Sequence, residues 1–155
     1  MPVIEGGSVI PGGQKRVTNP SLEGAYAGGG TKIARGDYDF AVDGGAVSSI
    51  NLMPDSIPAN AIILGGFIEV DTVPTSGGAA TIAVQAESAG DLQAAAAISG
   101  GPWSTTGRKN ITPNFTGGNT VKLSAARNLV AVIGTAALTA GKFKVIVFWM
   151  ETAAN

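Results

Sequence analysis

The chain has 155 residues, enough for one domain with a substantial core, and a formal net charge of −1. Hydrophobic residues make up 45% and charged residues 14%, where soluble domains carry about a quarter charged, so partners are expected to cover much of the surface. There is no Cys and no His, which removes a disulfide framework, a thiolate metal site and the commonest general base and metal ligand. No apolar run approaches about 18 residues, so no transmembrane helix is expected. The N-terminus lacks the charged and apolar regions of a signal peptide.

In chain order, residues 1–35 read as an extended arm. Gly6-Gly7, Pro11-Gly12-Gly13, Asn19-Pro20 and Gly28-Gly29-Gly30 punctuate it, and no apolar period persists. It carries the apolar residues Val3, Ile4, Val9 and Ile10 and the bases Lys15, Arg16, Lys32 and Arg35. Such a segment cannot offset its ordering entropy alone and is expected to order on a partner.

Residues 36–155 read as a sandwich domain. Tyr38, Phe40 and Val42 alternate with Asp37, Asp39 and Asp43, the pattern of a half-buried strand. Gly44-Gly45 is a turn, and residues 47–52 form a second strand. A long strand covers residues 61–73, with Ile63, Phe67 and Val73 expected on one face and a bulge expected at Gly65-Gly66. Pro74 to Gly78 turns the chain into a strand over residues 81–86, with Ile82 and Val84 inward. The Ala-rich residues 91–98 fit a short helix capped by Ser88 or Asp91. A loop with Trp103, Arg108 and Ile111 follows, then a short strand at residues 120–124.

The stretch from Asn128 to Glu151 reads as a closing β-hairpin: two β-branched and aromatic runs around a small-residue connection. In its second strand Phe143, Val145, Val147 and Trp149 share one face, and Lys144, Ile146, Phe148 and Met150 the other. Both faces are apolar beyond Lys144, so both are expected to be covered, one by a second sheet and one by a neighbouring chain or segment. Ile146, Phe148 and Met150 are therefore the oligomer-interface candidates. Residues 70–78 weakly echo residues 133–141, which reads as two similar hairpins. Short strands and Gly-rich turns point to an all-β antiparallel β-sandwich or jelly roll with one short helix.

Charge is segregated along the chain. Asp37, Asp39, Asp43, Asp55, Glu69, Asp71, Glu87 and Asp91 come without a base between them. Arg108, Lys109, Lys122, Arg127, Lys142 and Lys144 come without an acid. Such blocks suit contacts within the fold or between subunits. The bases are too scattered for a nucleic-acid surface. No nucleophile elbow, Walker loop or zinc motif occurs, so no catalytic, cofactor or metal residue is expected. Glu69 and Asp71 share a strand face, but nothing in the sequence builds a sugar cleft around the pair.

Four stretches carry a resemblance: residues 57–66 (IPANAIILGG), 74–84 (PTSGGAATIAV), 122–127 (KLSAAR) and 137–143 (ALTAGKF). Together they look like small structural proteins of tailed-bacteriophage virions, of the capsid decoration (cement) or head-fibre type, over about Gly36 to Glu151. The resemblance implies a non-enzymatic protein on the capsid surface, made in the host cytoplasm. Its partner would be the major capsid protein, and homotrimeric assembly is common; no nucleic acid or membrane is involved. On that reading Val3, Ile4, Val9, Ile10, Lys15, Arg16, Lys32 and Arg35 are the capsid-contact candidates. The alternative is a receptor- or carbohydrate-binding module of a head or tail fibre, which would expose aromatics such as Tyr26, Tyr38, Trp103 and Phe115.

Overall fold

The computed structural model describes residues 30–113 and 120–151. They form two four-stranded antiparallel sheets packed face to face, an all-β sandwich. The strands are β1 (Lys32–Asp39), β2 (Ser49–Asn51), β3 (Ala61–Ser76), β4 (Thr81–Gln85), β5 (Gln93–Ala97), β6 (Gly107–Asn110), β7 (Val130–Gly134) and β8 (Leu138–Glu151). The first sheet has the order β1-β8-β3-β6 and the second β2-β7-β4-β5.

The inner faces follow from the alternation of side chains. Ala34 and Tyr38 on β1, Ile68 and Val70 on β3, and Phe143, Val145, Val147 and Trp149 on β8 are buried. Ile82 and Val84 on β4 and Ala131 and Ile133 on β7 face them from the second sheet. Phe143 stacks on Tyr38 at 4.8 Å between centroids and meets Trp103 at 4.9 Å. The Trp103 Nε1 donates to the Ile82 carbonyl at 3.2 Å, so Trp103 stitches its loop to the second sheet.

Several expectations change. The hairpin at Asn128 to Glu151 does not form: β7 pairs with β2 and β4, whereas β8 pairs with β1 and β3. The small residues between them carry the chain from one sheet to the other. The β3–β4 connection does the same in the opposite direction, and the two crossings run side by side. Thr75 pairs with Ala140 and Ser76 with Leu138 before the crossing, and Thr81 with Gly134 after it. Thr75 and Thr139 hydroxyls bond at 2.8 Å there, and Ser76 Oγ donates to the Ala137 carbonyl at 2.6 Å. The internal echo is thus a pair of sandwich corners that face each other, not two hairpins.

The Ala-rich segment is strand β5, not a helix. It covers the edge of β4, with Thr81 opposite Ala97 and Ile82 opposite Ala96, and this pairing overrides alanine's helix propensity. Among the described residues the one short helix, α1 (Phe40–Asp43), lies where a strand was expected. Asp39 caps it by accepting from the Ala41 N–H at 3.0 Å, and Gly44 ends it at φ 71°. Val42 is consequently 82% exposed. The bulge at Gly65-Gly66 is present as a register shift between Ile63 and Gly65. It swaps faces, so Ile63 points inward before it and Ile68 after it, which leaves Phe67 facing outward. Gly66 is required there: a Cβ would stand 2.1 Å from the Ile146 carbonyl oxygen. Finally, β1 starts at Lys32 and the compact unit at Thr31, so the boundary read at Gly36 falls inside a strand.

Candidate interface surfaces

The outer face of the first sheet carries a cluster of charged residues and, beside it, a group of outward apolar side chains. At one end of this face the charges alternate in sign from strand to strand. Asp37 and Asp39 lie on β1, Lys142 and Lys144 on β8, Glu69 and Asp71 on β3, and Arg108 on β6. Asp37 sits opposite Lys144, Lys144 opposite Glu69, and Glu69 opposite Arg108. Lys142 Nζ reaches Asp39 at 2.8 Å, Lys144 bonds Asp71, and Arg108 lies 4.0 Å from Glu69. Lys142 and the Ala41 N–H hold the Asp39 carboxyl below its ordinary range, and Asp39 raises the Lys142 ammonium in return.

A further pair, Arg127–Glu87 at 3.2 Å, ties the loop after β4 to the segment before β7. Ser124 donates to the same Glu87 from its hydroxyl and its backbone N–H, the main causes that lower the Glu87 pKa. The two charge blocks of the sequence therefore meet within the fold. Glu69 and Asp71 are each engaged with a base rather than forming a free carboxylate pair.

Past Lys144 this face turns apolar. Ile33 lies opposite Phe148, and Ile146 lies between Arg35 and Phe67. Ile62 is opposite Met150, and Leu64, two residues on, shares its outward face. Ile33 is 66% exposed and Leu64 45%. Phe67 and Phe148 lie 6.1 Å apart, with the Arg108 guanidinium 4.4 Å above the Phe67 ring. The candidates Ile146, Phe148 and Met150 are half-buried and come together on this face. Sequence reasoning missed Ile33, because it placed that residue in the arm, and Phe67, whose direction depends on the bulge; Leu64, which shares the outward face of Ile62, was not singled out either.

Among the capsid-contact candidates, Lys32 and Arg35 are β1 residues. Lys32 pairs with Glu151 at 2.9 Å, and Arg35 with Asp37 at 2.8 Å. Val3, Ile4, Val9, Ile10, Lys15 and Arg16 lie outside the described residues. Of the aromatics a sugar-binding face would need, Trp103 and Tyr38 are buried at 0% and 1% exposure, and Tyr26 and Phe115 lie outside the described residues. The Tyr38 hydroxyl donates to the Gly44 carbonyl at 2.7 Å. Burial first, then Asp43 and Asp39, push it up to about 12. Among the described residues no group of three or more acids could hold a metal ion, and no helix is long and apolar enough to cross a membrane.

No protein-family model and no curated protein matches this sequence. Solved structures do match. A chain of the cyanophage Pam1 capsid asymmetric unit has a TM-score of 0.62 at 20% identity, over 92% of this chain and 98% of that one. A chain in the capsid of Ralstonia phage GP4 scores 0.59 at 19% identity, over 82% and 88%. A chain in the acid-stable capsid of Helicobacter pylori bacteriophage KHP30 scores 0.55 at 13% identity, over 79% and 89%. At these identities the likeness establishes a common fold, and it spans most of each neighbour chain.

Proposed function

We propose that this chain is a structural protein of a tailed-phage particle, a decoration (cement) protein on the outside of the head whose partner is the major capsid protein. The observation that carries this reading is the fold shared, over 79–92% of this chain, with chains of three phage capsids. The surface supports it. Charges neutralise one another within the first sheet, and beside them lies an apolar patch of Ile33, Leu64, Phe67, Ile146, Phe148 and Met150, which suits burial against another copy. Copies associate through this face into a closed oligomer, a trimer on the family resemblance. The N-terminal segment with Val3, Ile4, Val9, Ile10, Lys15 and Arg16 reaches over neighbouring subunits and fastens the oligomer to the shell. Lys32 and Arg35 support β1 rather than the attachment, since each is paired to an acid at the sheet. The fibre-module reading loses its aromatic candidates Trp103 and Tyr38 to the core.

The test is co-sedimentation with heads stripped of the protein, using the full chain and a chain that starts at Gly30. That cut spares β1, whereas one at Gly36 removes half of it. The full chain should pellet with heads and the shortened chain should remain in the supernatant. Failure of the full chain to bind heads overturns the role, and equal binding by both moves the attachment onto the sandwich.

A further inference from the structure

The edge of the first sheet at β1 is only partly closed. The Asp37 N–H donates to the Leu52 carbonyl at 2.8 Å. Because backbone groups alternate sides along a strand, Ile33 and Arg35 turn their N–H and C=O groups the same way as Asp37, away from β8. Leu52 leads into residues 53–57, which diverge from β1, so among the described residues these two positions have no strand beside them. Between the diverging segments lies a cleft of about 330 Å³, lined by Ile33, Arg35, Met53, Asp55, Ile57 and Trp149, with Ala34, Pro54 and Ser56 completing it.

Two residues that line this cleft, Trp149 and Asp55, carry groups without a partner among the described residues. The Trp149 Nε1 is buried with no acceptor, a state that costs about 1–3 kcal/mol for a buried donor. Asp55 is exposed, and no base pairs with it among the described residues. An edge with open backbone groups, an apolar lining, an orphaned donor and a lone acid together specify the occupant. It is one extended strand that brings carbonyls, a β-branched side chain and a base. The segment 53–57 walls the far side, so a folded sheet edge from another molecule does not fit.

We propose that this cleft receives the N-terminal segment of a neighbouring copy of the chain, with Val9 and Ile10 entering beside β1 and Lys15 or Arg16 meeting Asp55. The occupant is argued from the chain itself. Residues 1–29 precede the described sandwich and hold β-branched pairs at Val3-Ile4 and Val9-Ile10, with the two bases close behind. Pro11-Gly12-Gly13 lets the segment turn between apolar pair and bases. Extended, 29 residues span up to about 95 Å, enough to reach a neighbour and continue to the shell. The proposal rests on the arm being a linking element, as in the function proposed above, and names the surface that holds one part of it.

The absence of native cysteine makes the test unambiguous. Full-length Ser8→Cys and Ser56→Cys proteins, one carrying a mass tag, are mixed and oxidised without any phage heads. The 8–56 disulfide between copies should dominate over 8–8 and 56–56 products. Arg35→Pro in the Ser56→Cys protein removes an N–H that the β1–β8 ladder does not use, which an edge strand tolerates. It should cut the 8–56 yield about tenfold or more, as loss of about 1.4 kcal/mol of strand pairing would. Asp55→Lys, which touches no backbone group, should lower the yield as well and covers the case in which the proline variant misfolds. Random pairing of the thiols, or an 8–56 yield unmoved by either substitution, overturns the proposal. Heads take no part, so this failure is distinct from failure to bind the shell.

Discussion

Replacing Phe143 and Phe148, five residues apart on the same strand, separates the core face of β8 from its outward face. Phe143 is 1% exposed and sits between Tyr38 and Trp103. Phe143→Ala should cost about 3–5 kcal/mol from lost transfer energy and the cavity left behind. The upper half of that range is expected, because two aromatic pairs go with the ring, each worth about 0.5–1.5 kcal/mol. Domains hold only about 5–15 kcal/mol in total. With a urea slope of about 1.5 kcal/mol/M, a loss of about 4 kcal/mol moves the unfolding midpoint by roughly 2–3 M. Phe148 is half-buried on the outer face beside Phe67. Phe148→Ala should cost about 1 kcal/mol in the dilute protein and move the midpoint by less than about 1 M. Its larger effect should emerge as protein concentration rises, because stabilisation by association follows mass action. Urea unfolding at two concentrations a hundredfold apart measures both. Equal midpoint shifts for the two variants would refute the assignment of faces, and a Phe148→Ala shift that ignores concentration would refute association through this surface.

Two other groups give sharp expectations. Asp91 is 4% exposed and accepts the N–H groups of Ala86, Glu87 and Ser88 at 2.9, 2.9 and 3.0 Å. Asp91→Ala orphans all three and should cost about 3–5 kcal/mol, while Asp91→Asn keeps one acceptor and should cost about half as much. Thermal melts as stable as the native chain for Asp91→Ala would contradict this. The Tyr38 pKa is about 12 in the fold against an ordinary value of 10, so the neutral phenol is favoured by folding. Its contribution is fully present below pH 10 and is lost as pH rises from 10 to 12. Tyr38→Phe should cost about 1 kcal/mol at neutral pH through the lost bond to Gly44 and should flatten that part of the alkaline limb. Parallel alkaline loss in both proteins, followed by denaturant midpoints, would count against the burial argument.

The core was legible where one period ran without interruption. Phe143, Val145, Val147 and Trp149 alternate cleanly and are all buried, as are Ile82 and Val84, and the Gly65-Gly66 pair marked its bulge. What the sequence hid was pairing. A strand, a small-residue connection and a second strand look the same whether they fold onto one sheet or cross between two, since local spacing carries no signal for the partner. The Ala run of β5 misled because alanine's preference is weak beside an edge needing cover. Asp39 and Asp43, read as strand acids, serve as a cap and as an acceptor for the Asp39 N–H at 2.8 Å, which turns Phe40 to Asp43 out of the strand. The outward patch was half visible: Ile146, Phe148 and Met150 came from β8 alone, but Ile33 and Phe67 needed the register.

The segregation of charge follows from that same register. Antiparallel pairing of β1 and β3 with β8, and of β3 with β6, sets Asp37 and Asp39 of β1 and Glu69 and Asp71 of β3 beside Lys142 and Lys144 of β8, and Glu69 beside Arg108 of β6. Like charges directly opposite repel, so Asp37 and Asp39 of β1 and Glu69 and Asp71 of β3 favour an order in which β8, with Lys142 and Lys144, lies between them. Three cross-strand ion pairs, from Asp39, Glu69 and Asp71, cluster at one end of the face, whereas around the apolar patch at the other end Lys32 pairs with Glu151 and Arg35 with Asp37. Exposed pairs of this kind add little stability each. Their consequence is for recognition: a partner at the charged end must displace pairs already satisfied, whereas one seated on Ile33, Leu64 and Phe148 meets apolar side chains first. The low charge count and its arrangement therefore act together, directing association to the apolar end of the sheet.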